Sequence, residues 1–301
     1  MVKKLVIIGM LVMFTITQAK AFDFYVVNTD GKRIYYEKLS GTGDKVMVVS
    51  HDGTSLYSGK INIPANVTYE GIDYVVETIG SEAFSGCKEL TEVILPPSLK
   101  TIRDNAFLNC DKLISIIIPD EVTSIRYRAF GLCTALKTVT LGVNLTDIGE
   151  RAFHQCIELE DITFGDKVSL IDLGAFEMCY ALKNVQLPES LIEIGDYAFY
   201  NTGLTGISIP NNVQSIGFGA FLDCSSLAQV IIGDKVSSIG GAFGGCVELN
   251  EFTVSEQNQK YICEDSMLLS KDKTILYVLA GGKKSPIIPD YIKIIGDGAF
   301  A

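Results

Sequence analysis

One pattern returns about every 23 residues along most of this 301-residue chain. Each copy opens with an isoleucine, and an Ala-Phe pair follows, as in Ile148-Gly-Glu-Arg-Ala-Phe153. The spacing drops to 22 at Thr202-Gly203 and at Gly240-Gly241, where glycine lets the backbone absorb a deletion. Eight copies are marked by their phenylalanines, which are Phe84, Phe107, Phe130, Phe153, Phe176, Phe199, Phe221 and Phe243. A fixed period of this length predicts a solenoid of stacked coils.

Within each copy, one segment is typical of a strand and another of a tight turn. Leu136–Leu141 alternates apolar and polar residues at its end, as a half-buried strand does. A second short extended piece, such as Val122–Ile125, precedes the Ala-Phe pair, and we expect that pair to lie in a single helical turn. In the sixth copy Asp196 is placed to cap this turn. Strand ends are marked by proline or glycine, which turn the chain: Pro96, Pro119, Gly142, Gly165, Pro188, Pro210 and Gly233.

A single copy cannot form a stable domain, because it buries too little apolar surface to offset the entropy of ordering its backbone. Stacked copies bury each other's faces and align their strands in parallel, about 4.8 Å apart. We therefore predict an α/β solenoid of parallel strands and single helical turns. Its eight repeats occupy residues 71–255.

The sequence before the repeats departs from the pattern. Three short apolar stretches, Phe24–Val27, Ile34–Glu37 and Val46–Val49, predict strands separated by Asp-Gly turn signals. Residues 22–70 are therefore predicted to form a small N-terminal β cap, which shields the open end of the first coil.

The period also lapses after the eighth copy. Residues 256–284 predict a β-hairpin insertion, with strands at Tyr261–Ser270 and Thr274–Ala280 joined at Lys271-Asp-Lys. Residues 285–301 resume a partial repeat, which stops within a unit at Ala301. Two explanations stay open for this end: an edge covered by a partner or by the chain itself, or a truncated reading frame.

The repeat reads I-G-x-x-A-F-x-x-C-x-x-L-x-x-V-x-L-P, and it resembles the BspA-like class of leucine-rich repeats, whose units have 23 residues. The resemblance covers Tyr57–Ala301. It implies a leucine-rich repeat right-handed superhelix. It also implies a non-catalytic binding or adhesion protein whose partners are host extracellular-matrix or plasma proteins, or other cells.

The first 21 residues have the parts of a secretory signal peptide. Lys3 and Lys4 precede the apolar stretch Leu5–Ile16, and Ala19-Lys20-Ala21 fits a cleavage site. We expect an exported protein, periplasmic, cell-surface or secreted, without a membrane span after cleavage. The formal charge is -11, and removing three lysines with residues 1–21 makes it -14, which disfavours nucleic acid and anionic lipid as partners.

A cysteine occupies the same position in seven of the eight copies, and Thr202 replaces it in the sixth. We interpret these residues as a structural ladder of buried free thiols. Disulfides between neighbouring copies and a metal site are the less favoured alternatives. Cys263 lies outside the ladder, as an exposed thiol or a buried strand residue. The ladder cysteines are Cys87, Cys110, Cys133, Cys156, Cys179, Cys224 and Cys246.

Residues that commonly carry catalysis are scarce. The two histidines are His51, in a turn signal, and His154, which we interpret as a surface substitution in the turn. Glu158 and Glu160 are interpreted as a solvated face, since nothing indicates a hydrophobic cleft that would shift a pKa. The sequence therefore predicts no enzyme, cofactor or metal site. A hydrolase using His51 or His154 is the last alternative.

The outward strand positions form two columns, whose small, polar or β-branched residues include no base and no aromatic. We expect this low-relief face to bind an extended extracellular protein or glycoprotein, or merely to keep the sheet soluble. The first column is Glu92, Ser115, Thr138, Asp161, Asn184, Gly206, Gln229 and Glu251. The second is Ile94, Ile117, Thr140, Thr163, Gln186, Ser208, Ile231 and Thr253. The cap offers a rival contact surface in Tyr25, Tyr35, Tyr36 and Tyr57.

Two functions follow from this face. The favoured hypothesis is a secreted or cell-surface protein-binding and adhesion module. The alternative is a glycan-binding accessory protein of a surface uptake system, which the polar columns permit and the shortage of stacking aromatics disfavours. The ligand, the anchoring to the cell and the oligomeric state stay open.

Overall fold

A computed structural model describes residues 22–50, 57–280, 287–296 and 298–300. The predicted signal peptide and His51 lie outside these ranges. The first strands are β1 (Phe24–Val27), β2 (Arg33–Lys38), β3 (Lys45–Val49), β4 (Gly59–Asn62), β5 (Asn66–Tyr69) and β6 (Ile72–Ile79).

The coils contribute β7 (Leu90–Ile94), β8 (Thr101–Ile102), β9 (Ser115–Ile117), β10 (Ser124–Ile125), β11 (Thr138–Thr140), β12 (Asp147–Ile148), β13 (Asp161–Thr163), β14 (Leu170–Ile171), β15 (Glu193–Ile194), β16 (Gly206–Ile209), β17 (Ser215–Ile216), β18 (Gln229–Ile232), β19 (Ser238–Ile239) and β20 (Glu251–Val254). The last strands are β21 (Tyr261–Glu264), β22 (Met267–Ser270), β23 (Ile275–Leu279) and β24 (Ile294–Ile295).

The N-terminal strands continue directly into the coils. β1, β2 and β3 form an antiparallel meander. β3 lies parallel to β6, which also pairs with β5 in a hairpin. β6 then pairs in parallel with β8, so that Ile79 lies beside Ile102. One twelve-stranded sheet therefore runs from the N-terminal region through the short strand of every coil, up to β19.

The turn segment of each coil differs from the predicted helical turn, since the described part of the chain contains no helix. In the first coil this segment is Gly80–Cys87. Alternate N–H groups close local turns, as Ala83 does to the Gly80 carbonyl at 3.2 Å. The others bond to the next coil, as Phe84 does to the Ala106 carbonyl at 2.7 Å. An α-helix needs each of these N–H groups for the carbonyl four residues back, so the shared bonding excludes it.

Left-handed backbone conformations produce this alternation. In the second coil, Asn105 and Asn109 have φ of 55° and 61°, and Gly174 has φ of 59° at the Asn105 position of the fifth coil. The prediction that Asp196 caps a helical turn in its own coil is wrong. Its carboxylate accepts the N–H of Phe218 in the next coil, at 2.7 Å.

The core is a stack of identical layers along the solenoid. The eight repeat phenylalanines are buried, and rings of neighbouring coils are nearly parallel, with centroids 4.9–5.4 Å apart. The first ring, Phe84, also contacts Tyr57 at 4.7 Å. Each layer adds buried isoleucine, alanine and leucine side chains around the ring. Burial of one coil therefore depends on the coils on both sides of it.

The region after the eighth coil contains more strands than a hairpin. The predicted strand Tyr261–Ser270 is two strands, β21 and β22, because the chain reverses at Asp265 and Ser266. Both residues have positive φ, 49° and 64°, as a two-residue type I′ turn requires. β22 pairs with β23, and β23 lies parallel to β24.

Candidate binding face

The sheet face is the outward side of β7, β9, β11, β13, β16, β18 and β20. Side chains alternate along each strand, so β11 buries Val139 and exposes Thr138 and Thr140. Parallel pairing places Thr138 beside Ser115 on one side and Asp161 on the other. The predicted columns therefore lie in register across β9, β11 and β13, and the pairing of β16, β18 and β20 does the same for their last three coils.

Nearly every member of the two columns is exposed. In the first column only Gly206 is half-buried, and Asn184 lies outside any strand. The second column is exposed throughout and holds three large apolar side chains: Ile94 at 41%, Ile117 at 70% and Ile231 at 47% exposure.

Several charged side chains on this face are paired. Lys60 contacts the Glu92 carboxylate at 2.8 Å, which joins the N-terminal strand β4 to the first coil. The Gln229 amide donates to the Glu251 carboxylate at 2.8 Å along the first column. These contacts are exposed, so they contribute little to folding.

The face is interrupted at the junction between β7 and β9. At the neighbouring junctions, the N–H that follows the strand donates to a carbonyl of the next coil. These bonds run from Ile63 to the Ile94 carbonyl, from Ile118 to that of Thr140, and from Leu141 to that of Thr163. The equivalent bond from Leu95 to Ile117 is missing, and among the described residues no sheet joins β7 to β9. A groove of about 570 Å³ lies over this junction.

A second interruption lies between β13 and β16. Residues 183–187 of the intervening coil form no strand, although Thr205 N–H still reaches the Lys183 carbonyl at 3.1 Å. The next coil is one residue short at Thr202-Gly203. A side chain at Gly203 would collide with the Tyr180 carbonyl, so the shortened coil is held tightly against its neighbour.

The seven ladder cysteines are buried, and all eight cysteines of the chain are free. The thiol of Cys133 donates to the Phe107 carbonyl at 3.1 Å, and that of Cys156 to the Phe130 carbonyl at 3.1 Å. Burial raises the pKa of Cys87 to about 11 and also raises that of Cys179. The Cys87 and Cys179 thiols therefore stay protonated at neutral pH. The thiols of Cys133 and Cys156 act as buried hydrogen-bond donors between coils.

The repeat pattern matches a known family. The family described as BspA type leucine rich repeat region matches residues 60–181 and 146–267, with six copies. Together these matches span residues 60–267, or 208 of 301 residues. The chain belongs to the BspA-type leucine-rich repeat family. This membership confirms the resemblance seen in the repeat.

Solved structures share the solenoid of stacked parallel strands. A leucine-rich repeat protein from Bacteroides ovatus ATCC 8483 is 25% identical, with a TM-score of 0.51 over 93% of this chain and 80% of that one. A leucine rich cell surface protein from Faecalibacterium prausnitzii A2-165 is 24% identical, with a TM-score of 0.56 over 92% and 73%. The pneumococcal vaccine antigen PcpA is 17% identical, with a TM-score of 0.54 over 92% and 78%. At 24% and 17% identity, the likeness of the last two proteins to this chain shows the fold alone. No curated protein matches the chain.

His154 is not the surface residue that the repeat pattern predicted. Its side chain is 12% exposed, and its Nδ1 lies 3.2 Å from the Glu177 carboxylate of the next coil. Burial lowers the His154 pKa, an effect that the Glu177 charge opposes and the Arg128 and Arg151 charges reinforce. Arg151 also contacts Glu177, at 3.4 Å. This cluster ties adjacent turn segments of the BspA-type coils together.

The tyrosines of the N-terminal strands do not form the rival contact surface. Tyr35, Tyr36 and Tyr57 are buried, and only Tyr25 is exposed, at 46%. The sequence could not separate these roles, because all four lie on or beside short strands. Cys263, the cysteine outside the ladder, is half-buried on β21.

Residues 22–50, 57–280, 287–296 and 298–300 contain no cluster of histidine, cysteine and carboxylate side chains suited to a metal. In the same ranges, no helix is long and apolar enough to cross a membrane. Glu158 and Glu160 are exposed, and Glu160 lies 3.7 Å from Lys137.

Proposed function

We propose that this BspA-type protein is an exported, non-catalytic module that binds an extracellular protein or glycoprotein through the sheet face. The observation that carries the proposal is the exposure of both columns over the coils from β7 to β20. A rigid, low-relief surface of this length suits an extended macromolecular partner better than a small ligand. The predicted signal peptide supports export.

The chemistry of the columns favours a protein over a glycan. Neither column contains an aromatic side chain on which a sugar ring could stack. Asp161 lies midway along the face, on β13, and Glu251 lies on its last strand, β20, and both acids are exposed. We infer that they set the charge preference for the partner.

Binding assays with charge-reversed variants test this proposal. The chain without residues 1–21 is applied to immobilised extracellular-matrix and plasma proteins and, separately, to a glycan array. We expect protein binding that Asp161→Lys and Glu251→Lys abolish. Glu193→Lys is the matched control, because Glu193 is exposed on the other sheet, on β15.

Two results would contradict the proposal. Glycan binding without protein binding would favour an accessory protein of a surface uptake system. Equal loss of protein binding in Glu193→Lys would show that the sheet face has no special role.

A further inference from the structure

We propose that the groove over the β7–β9 junction binds an extended segment of the partner protein in which an apolar side chain is flanked by lysine or arginine. This inference rests on the proposed function and names the chemistry that one part of the sheet face recognises. The groove is named the β7–β9 groove below.

The floor and walls of the β7–β9 groove are apolar. Ile94 and Ile117 stand on either side of the open junction, and Leu95 and Pro97 extend the lining toward the end of the strands. The volume of about 570 Å³ lies in the range of ligand-sized sites. A partner that covers these apolar side chains removes them from water, which favours binding.

The rim of the groove carries one sign of charge. Its charged residues are Glu92, Asp120 and Glu121, and no lysine or arginine lines it. Lys60 neutralises Glu92 at one end, whereas Asp120 and Glu121 are exposed at the other. A cationic side chain beside the apolar anchor therefore meets complementary charge there.

The same surface lacks these features in the middle of the solenoid. The second column holds Thr140, Thr163, Gln186 and Ser208 over the next four coils, so no large apolar side chain stands there. Ile231 is as exposed as Ile94, but its strand, β18, is paired on both sides. Exposed isoleucine and an open junction coincide only at β7 and β9 within the described coils.

Methyl NMR on the isoleucine-labelled chain tests the inference. The probe is the peptide Ac-KVKFKVK-NH₂, and the controls are Ac-EVEFEVE-NH₂ and Ac-KSKSKSK-NH₂. We expect the lysine-phenylalanine peptide to shift the methyl signals of Ile94 and Ile117 and to leave Ile231 unchanged. Neither control peptide reproduces these shifts.

Variants locate the site. Ile117→Thr places a residue that Thr140 and Thr163 already supply in the same column, so the fold tolerates it. We expect it to weaken peptide binding about tenfold, and Asp120→Asn with Glu121→Gln to weaken it and reduce its salt dependence. Ile231→Thr is the matched control and keeps the parent affinity.

Three outcomes overturn the inference: equal binding of the glutamate peptide, equal loss in Ile231→Thr, or no shift at Ile94 and Ile117. These results are separable from failure of the proposed function. If the peptide ignores the groove while Asp161→Lys still abolishes protein binding, the groove alone fails. If the groove binds the peptide while Asp161→Lys and Glu251→Lys change nothing, the wider sheet face fails.

Discussion

The turn segments and the sheet face are separate parts of every coil, and their bonding to neighbouring coils differs. In the turn segments, Phe84 N–H bonds to Ala106, Phe107 to Ala129, and the series continues without a gap to Phe221 and Ala242. On the sheet face the ladder breaks at two junctions. The turn segments therefore hold the coils together without a gap, which leaves the outward strand positions free to vary.

Exposure explains why the outward strand positions vary from copy to copy, whereas the Ala-Phe pair of the turn segments does not. Every turn segment contributes a buried alanine and a buried phenylalanine to a layer that two neighbours complete. The outward strand positions touch solvent, so serine, threonine and aspartate occupy equivalent positions of the first column, and isoleucine, threonine and glutamine those of the second. A binding surface can therefore change without loss of the solenoid.

The largest expected contrast comes from one truncation on each side. Phe153→Ala removes a ring stacked at 5.3 Å and 5.4 Å on its neighbours, and we expect it to cost about 3–5 kcal/mol of unfolding free energy. Asp161→Ala on the sheet face should stay within about 0.5 kcal/mol of the parent. Urea unfolding followed by circular dichroism measures both. Comparable losses would contradict the division of roles.

Two glycines, one in a turn segment and one on the sheet face, should respond differently to substitution by alanine. Gly174 in the turn segment has φ of 59°, so Gly174→Ala should cost roughly 1–2 kcal/mol. Gly206 on the sheet face has no positive φ, and an added Cβ would lie 3.7 Å from its nearest neighbour. Gly206→Ala is therefore expected to be neutral or slightly stabilising. If Gly206→Ala were destabilised and Gly174→Ala were not, the backbone requirement for glycine would lie on the sheet face and not in the turn segment.

The smallest effect is a pH dependence in the turn segments. Burial lowers the His154 pKa below its value in the unfolded chain, so the unfolded chain takes up this proton first as the pH falls. Stability from this site is thus complete above about pH 6.5 and is lost below it. We expect the thermal midpoint of His154→Gln to fall less than that of the parent between neutral and mildly acidic pH. Identical pH profiles would show that His154 is solvated.

The stacked coils could be predicted from sequence because Ile, Ala, Phe, Cys and Leu recur at one spacing and each faces the core. The repeat pattern predicted a helical turn where the structure has left-handed turns, although the sequence contains a signal for the left-handed conformation. The two left-handed positions of each turn hold glycine, asparagine or aspartate in many copies, such as Gly86, Asn109, Gly174 and Asp223. These residue types favour positive φ and disfavour a helix.

The open junction and the half-buried His154 could not have been predicted. Ile94-Leu95 and Ile117-Ile118 are apolar strand ends, much like those of the coils that pair. The missing hydrogen bond depends on the relative position of two whole coils, which no single copy of the repeat encodes. The position of His154 holds a different residue type in other copies, such as Leu108 and Glu177, a pattern typical of a surface position. Its burial comes from Glu177 in the next coil, a contact that no single copy contains.

Hydrogen exchange of individual amides measures separately how firmly the turn segments and the strand ends bind neighbouring coils. We expect the N–H groups of Phe130 and Phe153 to exchange only near the free energy of global unfolding, as that of Leu141 does, whereas the Leu95 N–H exchanges at a far lower free energy of opening. Fast exchange at the phenylalanines, or protection of Leu95 equal to that of Leu141, would contradict this expectation.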